Sequence, residues 1–245
     1  MRMLPHFLAR SLQRLVNGLG YAVVRTDASQ LTMESALKGI VRRNHSVKTV
    51  IDVGASDGNW SALAMKHLPD CRYLLVEAQP VHEPALREFC SRNSSTIYAL
   101  VAAGEQEGSV NFDATDPFGG QASSRAYSSH NIVVPVAPLD ALVEKNRLAG
   151  PYLLKLDTHG YEIPILKGAR KILQDTEVIV MECYNFRIAT ECLRFDEMCG
   201  YLHGLGFRCI DLVCPLHRPL DGSLWQMDLV FVRETRPEFS VAKYS

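Results

Sequence analysis

Long apolar runs, paired cysteines and an excess of basic charge are all missing from this sequence of 245 residues. Without 18 consecutive apolar residues, no segment is expected to span a membrane as a helix. The seven cysteines are scattered and include no Cys-x-x-Cys pair, which argues against a disulfide framework or a zinc site. A net charge of −1 gives no basic surface for a nucleic-acid partner. These absences favour a cytoplasmic globular protein with reduced cysteines.

The first 46 residues are predicted to form an amphipathic helical extension ahead of a main domain at residues 47–245. Apolar side chains recur on one helical face between Leu4 and Leu19, and Arg10 and Arg14 fall on the other face. The two arginines interrupt the apolar segment that a cleaved export signal would need. The helix can pack on its own domain or on a second copy of the chain, or it can lie on an anionic membrane surface. We favour packing, and both dimerisation and peripheral membrane contact stay open.

One stretch, TVIDVGASDGNW at residues 49–60, has the pattern of a buried strand, a glycine turn and the start of a helix. Gly54 and Gly58 allow backbone angles that a Cβ would oppose, and they let the main chain approach a ligand closely. In an open α/β sheet such a turn falls at the carboxyl edge of the strands, where ligands bind. A tight turn without a ligand would use the same glycines. The stretch therefore indicates a ligand-binding turn but does not identify the ligand.

Strand and helix patterns alternate along the main domain, which predicts a mostly parallel sheet with helices on both faces. Two further strands, Ser109–Phe112 and Ile132–Val136, interrupt this alternation. Between them lies the lid segment, Asp113–His130, which is rich in Gly, Ser and Asp. We predict that it covers the acceptor side of the site, although a mobile surface insertion would have the same composition. Near the C-terminus, Phe207–Leu212 and Met227–Val232 predict an antiparallel pair at one sheet edge.

Four predicted strands end in carboxylates, namely Asp52, Glu77, Asp157 and Glu182. Acidic residues at the ends of apolar strands are costly unless they are solvated or used, and a parallel sheet collects them along one edge. Glu77 follows the glycine turn at about the spacing at which an acidic side chain accepts both hydroxyls of an adenosine ribose. The cluster therefore predicts a nucleoside-binding edge.

Two nucleoside ligands suit this edge, and the turn between Gly54 and Gly58 discriminates between them. A dinucleotide needs a third glycine so that its pyrophosphate can contact the helix N-terminus; that glycine is missing, and Asp57 would repel a phosphate. S-adenosylmethionine carries no phosphate, and its sulfonium and ammonium groups are attracted by Asp52, Asp57 and Asp157. The electrostatics favour the methyl donor, with an NAD-dependent oxidoreductase as the alternative.

Six blocks of this sequence occur in the order of a known family: IDVGASDGNWS, VEAQPVHEPALREF, LVAAGEQEGSVNF, APLDALV, LLKLDTHGYEIPILKGARKIL and VIVMECY. From about Val47 to the C-terminus, the chain resembles the FkbM-type S-adenosylmethionine-dependent methyltransferases. The resemblance implies an α/β fold of the class I methyltransferase (Rossmann-like) type, with a seven-stranded, mostly parallel sheet whose last strand is antiparallel. It also implies O-methylation of a hydroxyl on a sugar, a polysaccharide precursor or another small natural product.

The resemblance also assigns residues to the methyl donor. It implies that the glycine turn and Glu77 hold the donor, that Ala102 lies near the adenine, and that Asp157 lies at the methionine end or beside the acceptor. The full predicted set is Asp52, Gly54, Ala55, Ser56, Gly58, Glu77, Ala78, Ala102 and Asp157. Many family members have Pro-Asn where this chain has Ala78-Gln79, a departure that leaves the ribose carboxylate intact.

Methyl transfer to a hydroxyl needs an in-line arrangement of the reacting atoms and a base for the hydroxyl proton. His159 has the ordinary pKa best suited to that task, and it stands where many family members have an acid. Glu182 is the alternative base, and Asp157 is the third catalytic candidate. Asp157, Glu182 and Asp228 could also hold a divalent cation, but we expect no metal requirement. A protein that binds the donor without transferring its methyl group is the non-catalytic alternative.

Overall fold

The computed structural model describes Val16, Gly18 and residues 31–128, 130–190 and 192–243. Apart from Val16 and Gly18, the amphipathic helix predicted between Leu4 and Leu19 lies outside the described residues. Within the described ranges, no helix has the length and apolar character needed to cross a membrane.

The described ranges contain eleven strands and six α-helices. The strands are β1 (Thr49–Val53), β2 (Arg72–Glu77), β3 (Thr96–Leu100), β4 (Ala102–Ala103), β5 (Gly108–Asp113), β6 (Gln121–Ser123), β7 (Asn131–Ala137), β8 (Tyr152–Leu156), β9 (Thr176–Tyr184), β10 (Phe207–His217) and β11 (Leu224–Arg233). The helices are α1 (Met33–Arg42), α2 (Asn59–Met65), α3 (Glu83–Arg92), α4 (Leu139–Lys145), α5 (Glu162–Lys167) and α6 (Phe195–Gly204). Short 3-10 helices lie at Pro80–His82, Ile172–Asp175 and Pro237–Phe239.

Seven strands form the main sheet in the order β10-β11-β9-β8-β1-β2-β3. Neighbours from β9 to β3 run parallel, whereas β11 is antiparallel to both β9 and β10. Apolar side chains of β1, β2, β8 and β9 are buried on both faces of the sheet, as expected for central parallel strands. The predicted fold class, including the antiparallel last strand, is confirmed.

A second, four-stranded sheet stands beside the main one, in the order β4-β7-β5-β6. Its strands β5 and β7 are the two extra strands predicted from the sequence, paired antiparallel. Part of the lid segment adds β6 to this sheet, a pairing that the sequence pattern did not indicate. Val110, Phe112 and Val134 form a small apolar core here with Ala102. This core holds the second sheet next to the carboxyl edge of the main sheet.

Helix α1 packs with the main sheet although it falls within the predicted N-terminal extension. Thr32 caps the helix by accepting from the backbone N–H of Ser35, while Ser35 accepts from the backbone N–H of Thr32. Its apolar side chains Ala36, Leu37 and Ile40 belong to the same buried cluster as strand residues of β1 and β2. The boundary between residues 46 and 47 stays a prediction.

The apolar pattern of Ile163–Leu173 predicts one continuous helix, and the structure interrupts it. Helix α5 ends at Lys167, and a 3-10 helix follows only at Ile172–Asp175. The break is at Gly168, where a Cβ would lie 1.9 Å from the carbonyl oxygen of Gly104. Close approach of these two backbones requires glycine. The apolar periodicity across this segment therefore predicted burial correctly and helix length incorrectly.

Candidate active site

A cavity of about 460 Å³ opens at the carboxyl edge of the main sheet, where β1, β2, β8 and β9 end. Small-molecule sites typically enclose about 300–1,000 Å³. Eight of the predicted site residues line this cavity: Gly54, Ser56, Glu77, Ala78, Ala102, Asp157, His159 and Glu182. Asp52, Ala55 and Gly58 do not line it. The carboxylates predicted to share an edge thus divide into three that face the cavity and one, Asp52, that does not.

The donor side of the cavity is built by Gly54 and Glu77. Gly54 has a φ of +75°, and a Cβ there would lie 1.9 Å from the carbonyl oxygen of Asp157. Glu77 accepts hydrogen bonds from the backbone N–H groups of Ser56, at 2.8 Å, and Gln79, at 2.7 Å. These two amides fix the orientation of the carboxylate, and each of its oxygens keeps a lone pair for a ligand hydroxyl. The geometry suits the predicted ribose contact.

Asp52 lies behind the glycine turn and is fully buried. Its carboxylate accepts from the Ser61 hydroxyl at 2.7 Å and lies 3.0 Å from Lys155 Nζ. Ala55 is likewise buried, in the apolar cluster beneath the turn. Direct contact of Asp52 or Ala55 with the donor stays a prediction. In this structure the glycine turn lies between these two residues and the cavity, and neither lines the cavity.

The turn ends at Gly58, whose φ of +86° is left-handed and precedes helix α2. Asp57 accepts from the backbone N–H of Asn59, at 3.2 Å, and from its side-chain amide, at 2.7 Å. The Asp57 carboxylate therefore occupies the first turn of α2, where a dinucleotide would place its pyrophosphate. This arrangement disfavours the NAD alternative.

Asp157, His159 and Glu182 meet at the β8–β9 end of the cavity, whereas Glu77 lies at the β2 end. His159 Nδ1 lies 3.2 Å from Glu182 Oε2, and His159 Nε2 lies 3.8 Å from Asp157 Oδ1. The Tyr184 hydroxyl lies between the partners, 2.7 Å from His159 Nδ1, and donates to Glu182. Gln226 donates to the other oxygen of Glu182. His159, Glu182, Tyr184 and Gln226 thus form one hydrogen-bonded group, and Asp157 lies within ion-pair distance of it.

The hydrogen bonds of His159 require both ring nitrogens to carry a proton. Its Nε2 lies 3.1 Å from the carbonyl oxygen of Phe118, which can only accept. Its Nδ1 faces a Tyr184 hydroxyl whose one proton already goes to Glu182. Burial alone would lower the pKa of His159, but the hydrogen bond and charge of Glu182, helped by Asp157 and the Phe118 carbonyl, raise it to about 9. A pKa raised in this direction favours the imidazolium form of His159 at neutral pH.

Asp228 lies next to this group because it pairs with Glu182 in the register of β9 and β11. Burial, together with the charges of Glu182 and Asp157, raises the pKa of Asp228 to about 6. Among the residues that the structure describes, Asp157, His159 and Glu182 have potential metal-ligand atoms within 4.8 Å of one another. His159 thus takes the place that the sequence assigned to Asp228 in a candidate cation set. The expectation that no metal is required stays a prediction.

The lid segment lies over the cavity and contributes Pro117, Phe118 and Gly120 to its lining. Three side chains from the rim bind its main-chain carbonyls. Gln79 donates to those of residues 116 and 117, at 3.1 and 2.9 Å; His82 Nε2 lies 2.7 Å from that of residue 117; and His159 binds that of residue 118. The segment predicted to be a lid is therefore attached to both the donor side and the β8–β9 side.

Sequence reasoning missed Lys155, Gln226 and the contact that Tyr184 makes with Glu182. Lys155 is a charged residue inside the apolar run LLKL, the same signal that identified the strand-end carboxylates. Tyr184 falls two residues after Glu182 and so on the same face of β9, which the strand period could have indicated. Gln226 gives no local signal, because its contact with Glu182 depends on the pairing of β9 with β11.

The strand order, the antiparallel β11 and a ligand cavity at the carboxyl edge define a class I methyltransferase. The methyltransferase FkbM domain matches residues 52–209, and the chain belongs to that family. It is an S-adenosylmethionine-dependent methyltransferase.

Many solved structures resemble the chain at low sequence identity. A putative O-methyltransferase from Klebsiella pneumoniae is 12% identical with a TM-score of 0.48, covering 94% of this chain and 91% of its own. The 1,6-didemethyltoxoflavin-N1-methyltransferase of Burkholderia thailandensis, solved with S-adenosylhomocysteine, is 12% identical with a TM-score of 0.46, covering 95% and 92%. A precorrin-6y C5,15-methyltransferase from Geobacter metallireducens is 11% identical with a TM-score of 0.45, covering 84% and 91%. No curated protein sequence matches.

The cavity suits the methyl donor in charge. Its lining includes three carboxylates, Glu77, Asp157 and Glu182, against one cationic group, His159, and no lysine or arginine among the described residues. Apolar side chains such as Val53, Val76 and Val101 complete the donor side. Such a lining attracts a cationic sulfonium compound and repels a polyphosphate. The donor supplies the electrophilic methyl group when it is bound.

Proposed function

We propose that this protein methylates a hydroxyl group on a sugar, a polysaccharide precursor or another small natural product. The observation that carries the proposal is the hydrogen-bonded group of His159, Glu182 and Tyr184 in the same cavity as the ribose-type carboxylate of Glu77. A hydroxyl acceptor must lose a proton during methyl transfer, whereas a neutral amine can attack without a base. A base group at the acceptor end therefore favours oxygen as the atom methylated.

The acceptor end of the cavity is polar. Asp157, Glu182 and Gln226 present hydrogen-bonding groups there. A compound with several hydroxyls would satisfy these groups, because buried polar atoms need partners once water is displaced. A purely apolar acceptor would leave the Asp157 carboxylate and the side-chain oxygen of Gln226 without hydrogen bonds, since the two oxygens of Glu182 are already bound within the protein. The lining therefore supports a polyhydroxylated acceptor of small size.

His159 acts as the base in this proposal, and Glu182 and Tyr184 orient it and hold its charge. Because His159 is an imidazolium in the closed arrangement, it must lose a proton and release the Phe118 carbonyl before it can accept a hydroxyl proton. Catalysis by His159 therefore requires movement of the lid segment. Glu182 is the alternative base, and its two oxygens are already bound by Tyr184 and Gln226.

The test is mass spectrometry of cell extract incubated with the protein and isotopically labelled S-adenosylmethionine. We expect label in one compound or a small class of compounds, attached through oxygen and stable to treatments that cleave methyl esters. His159→Ala should lose labelling while keeping donor affinity, whereas His217→Ala, a change at an exposed histidine, should keep both. Label on nitrogen or carbon would refute O-methylation. Unchanged turnover of His159→Ala would remove His159 from the mechanism.

A further inference from the structure

Lys155 is a buried cation that the roles described so far do not use. It lies in the central strand β8, and its side chain is only 6% exposed. Its Nζ donates to the carbonyl oxygen of Gly54 at 2.8 Å and lies 3.0 Å from Asp52 and 3.5 Å from Asp157. Burying an ammonium group is costly, so its retention at this point needs partners of opposite charge. Lys155 has two, one on β1 and one after β8.

The two carboxylates beside Lys155 differ in solvent exposure: one is buried in the core and the other faces the cavity. Asp52 is fully buried, so its charge must be offset within the protein. Asp157 has 38% of its side chain exposed and turns one oxygen to Lys155 and the other towards His159. Burial would lower the pKa of Lys155, but the charges of Asp52 and Asp157 outweigh it and raise the pKa, so the ammonium stays charged. The charged Lys155 ammonium thus lies between Asp52 in the core and Asp157 at the cavity.

The contact with Gly54 links the donor turn to the strand that carries the acid–base group. The Gly54 backbone already lies so close to the Asp157 carbonyl that no Cβ fits between them. The bond from Lys155 to the Gly54 carbonyl fixes the orientation of the peptide that starts the turn. The Ser56 N–H, two residues further on, is one of the two amides that orient Glu77. A shift of the Gly54 peptide would therefore also displace the Ser56 amide that orients Glu77.

We propose that Lys155 is a positioning residue for the methyl donor, which holds the Gly54 turn against Asp157 so that Glu77 and Asp157 face the cavity at a fixed separation. The proposal rests on the donor-binding part of the function and not on the nature of the acceptor. The simpler reading is that Lys155 only neutralises Asp52. The two readings differ in what happens when both charges are removed together.

The experiment compares Lys155→Met, the double variant Asp52→Asn/Lys155→Met, and the control Ser61→Ala. The double variant removes the buried pair as a unit, so no uncompensated charge stays in the core. Ser61→Ala removes the other hydrogen bond of Asp52 and leaves Gly54 untouched. Donor affinity is measured by calorimetry with S-adenosylmethionine alone. Hydrogen exchange of the segment 53–60 is measured without donor, and unfolding temperatures report stability.

We expect the double variant to fold, and we expect both it and Lys155→Met, which keeps Asp52 in place, to bind the donor about 10- to 100-fold more weakly, the range for a lost charge-assisted hydrogen bond. Exchange at segment 53–60 should rise while strands β9 and β11 keep their protection. Ser61→Ala should keep its donor affinity. Wild-type affinity and exchange in the double variant would overturn the proposal, since Lys155 would then only balance Asp52. Equal weakening by Ser61→Ala would also overturn it. Because no acceptor is present, a wrong acceptor assignment leaves these results unaffected.

Discussion

Replacing Glu182 with glutamine distinguishes the two candidate bases, because they predict opposite results. Glu182 is the main reason that the pKa of His159 rises from its ordinary 6.5 to about 9 despite burial. With a pKa of about 9, only about one His159 in a hundred is neutral at pH 7. If His159 is the base, wild-type kcat/KM should therefore rise about tenfold per pH unit from pH 6 towards pH 9.

In Glu182→Gln, the hydrogen bond and negative charge that favour the imidazolium are gone. The pKa of His159 should fall below its wild-type value of about 9, because burial, the largest effect on it, is then opposed only by Asp157 and the Phe118 carbonyl. The rising limb of the pH profile should move down by the same amount. The plateau at high pH should be lower than in the wild type, since a weaker base accepts a proton less readily. At pH 6 to 7, the variant should lose less activity than at pH 9.

Two assays measure this shift independently. The imidazole signals of donor-free protein are titrated by NMR, with His159→Gln identifying the signal, and this titration needs no acceptor. The pH dependence of kcat/KM for the donor reports groups of the free enzyme. Glu88→Gln, which changes an exposed carboxylate with 60% of its side chain exposed, is the matched control.

Three results would refute the reasoning. A wild-type His159 midpoint near 6.5 would show that Glu182 does not hold the charge. An unchanged midpoint in Glu182→Gln would assign the shift to another group. Loss of activity by about 10²- to 10⁴-fold at every pH in Glu182→Gln would make Glu182 the base.

Three further predictions concern stability, metal and the donor. Burial, helped by two nearby guanidinium groups, lowers the pKa of His45 from 6.5 to about 4. The contribution of neutral His45 to the free energy of unfolding is therefore complete above pH 6.5. It is lost as the pH falls towards 4, by up to about 3 kcal/mol. His45→Phe should flatten this acid limb in denaturant unfolding, and exposed His203→Phe should not; equal curves for wild type and His45→Phe would contradict this. Turnover should survive chelation by EDTA, and a loss restored by Mg²⁺ or Mn²⁺ would establish a metal site. Glu77→Gln should weaken donor binding by about 10- to 100-fold in calorimetry, because an amide cannot accept from both backbone N–H groups, whereas Glu88→Gln should leave it unchanged.

The central sheet was predictable because local pattern and tertiary environment agree there. Strands β1, β2 and β8 are short apolar runs, and each ends near its predicted residue because a glycine or a carboxylate follows. The same regularity predicts from the sequence alone that Glu77, Asp157 and Glu182 lie at one edge. The carboxyl ends of neighbouring parallel strands lie at the same edge of a sheet, so residues at those ends are close in space.

Contacts between distant segments set the limit of prediction. Lys155 meets Asp52 because β1 and β8 are adjacent and in register, with 103 positions between the two residues. The break at Gly168 depends on the approach of Gly104, and no feature of the local sequence signals that approach. The protonation of His159 depends on the Phe118 carbonyl, which the lid segment delivers from 41 residues away. Each of these features determines how the site works, and each is non-local.

The attachment of the lid segment has an evolutionary consequence. All three rim side chains, Gln79, His82 and His159, bind main-chain carbonyls of residues 116–118. A carbonyl is present whatever side chain the residue carries, so mutations in residues 116–118 can alter the surface presented to the acceptor without removing those bonds. Attachment of the segment thus depends on main-chain atoms, whereas its contribution to the cavity wall depends on side chains. Substitutions at these positions can therefore reshape the cavity wall while the hydrogen bonds that hold the segment stay in place.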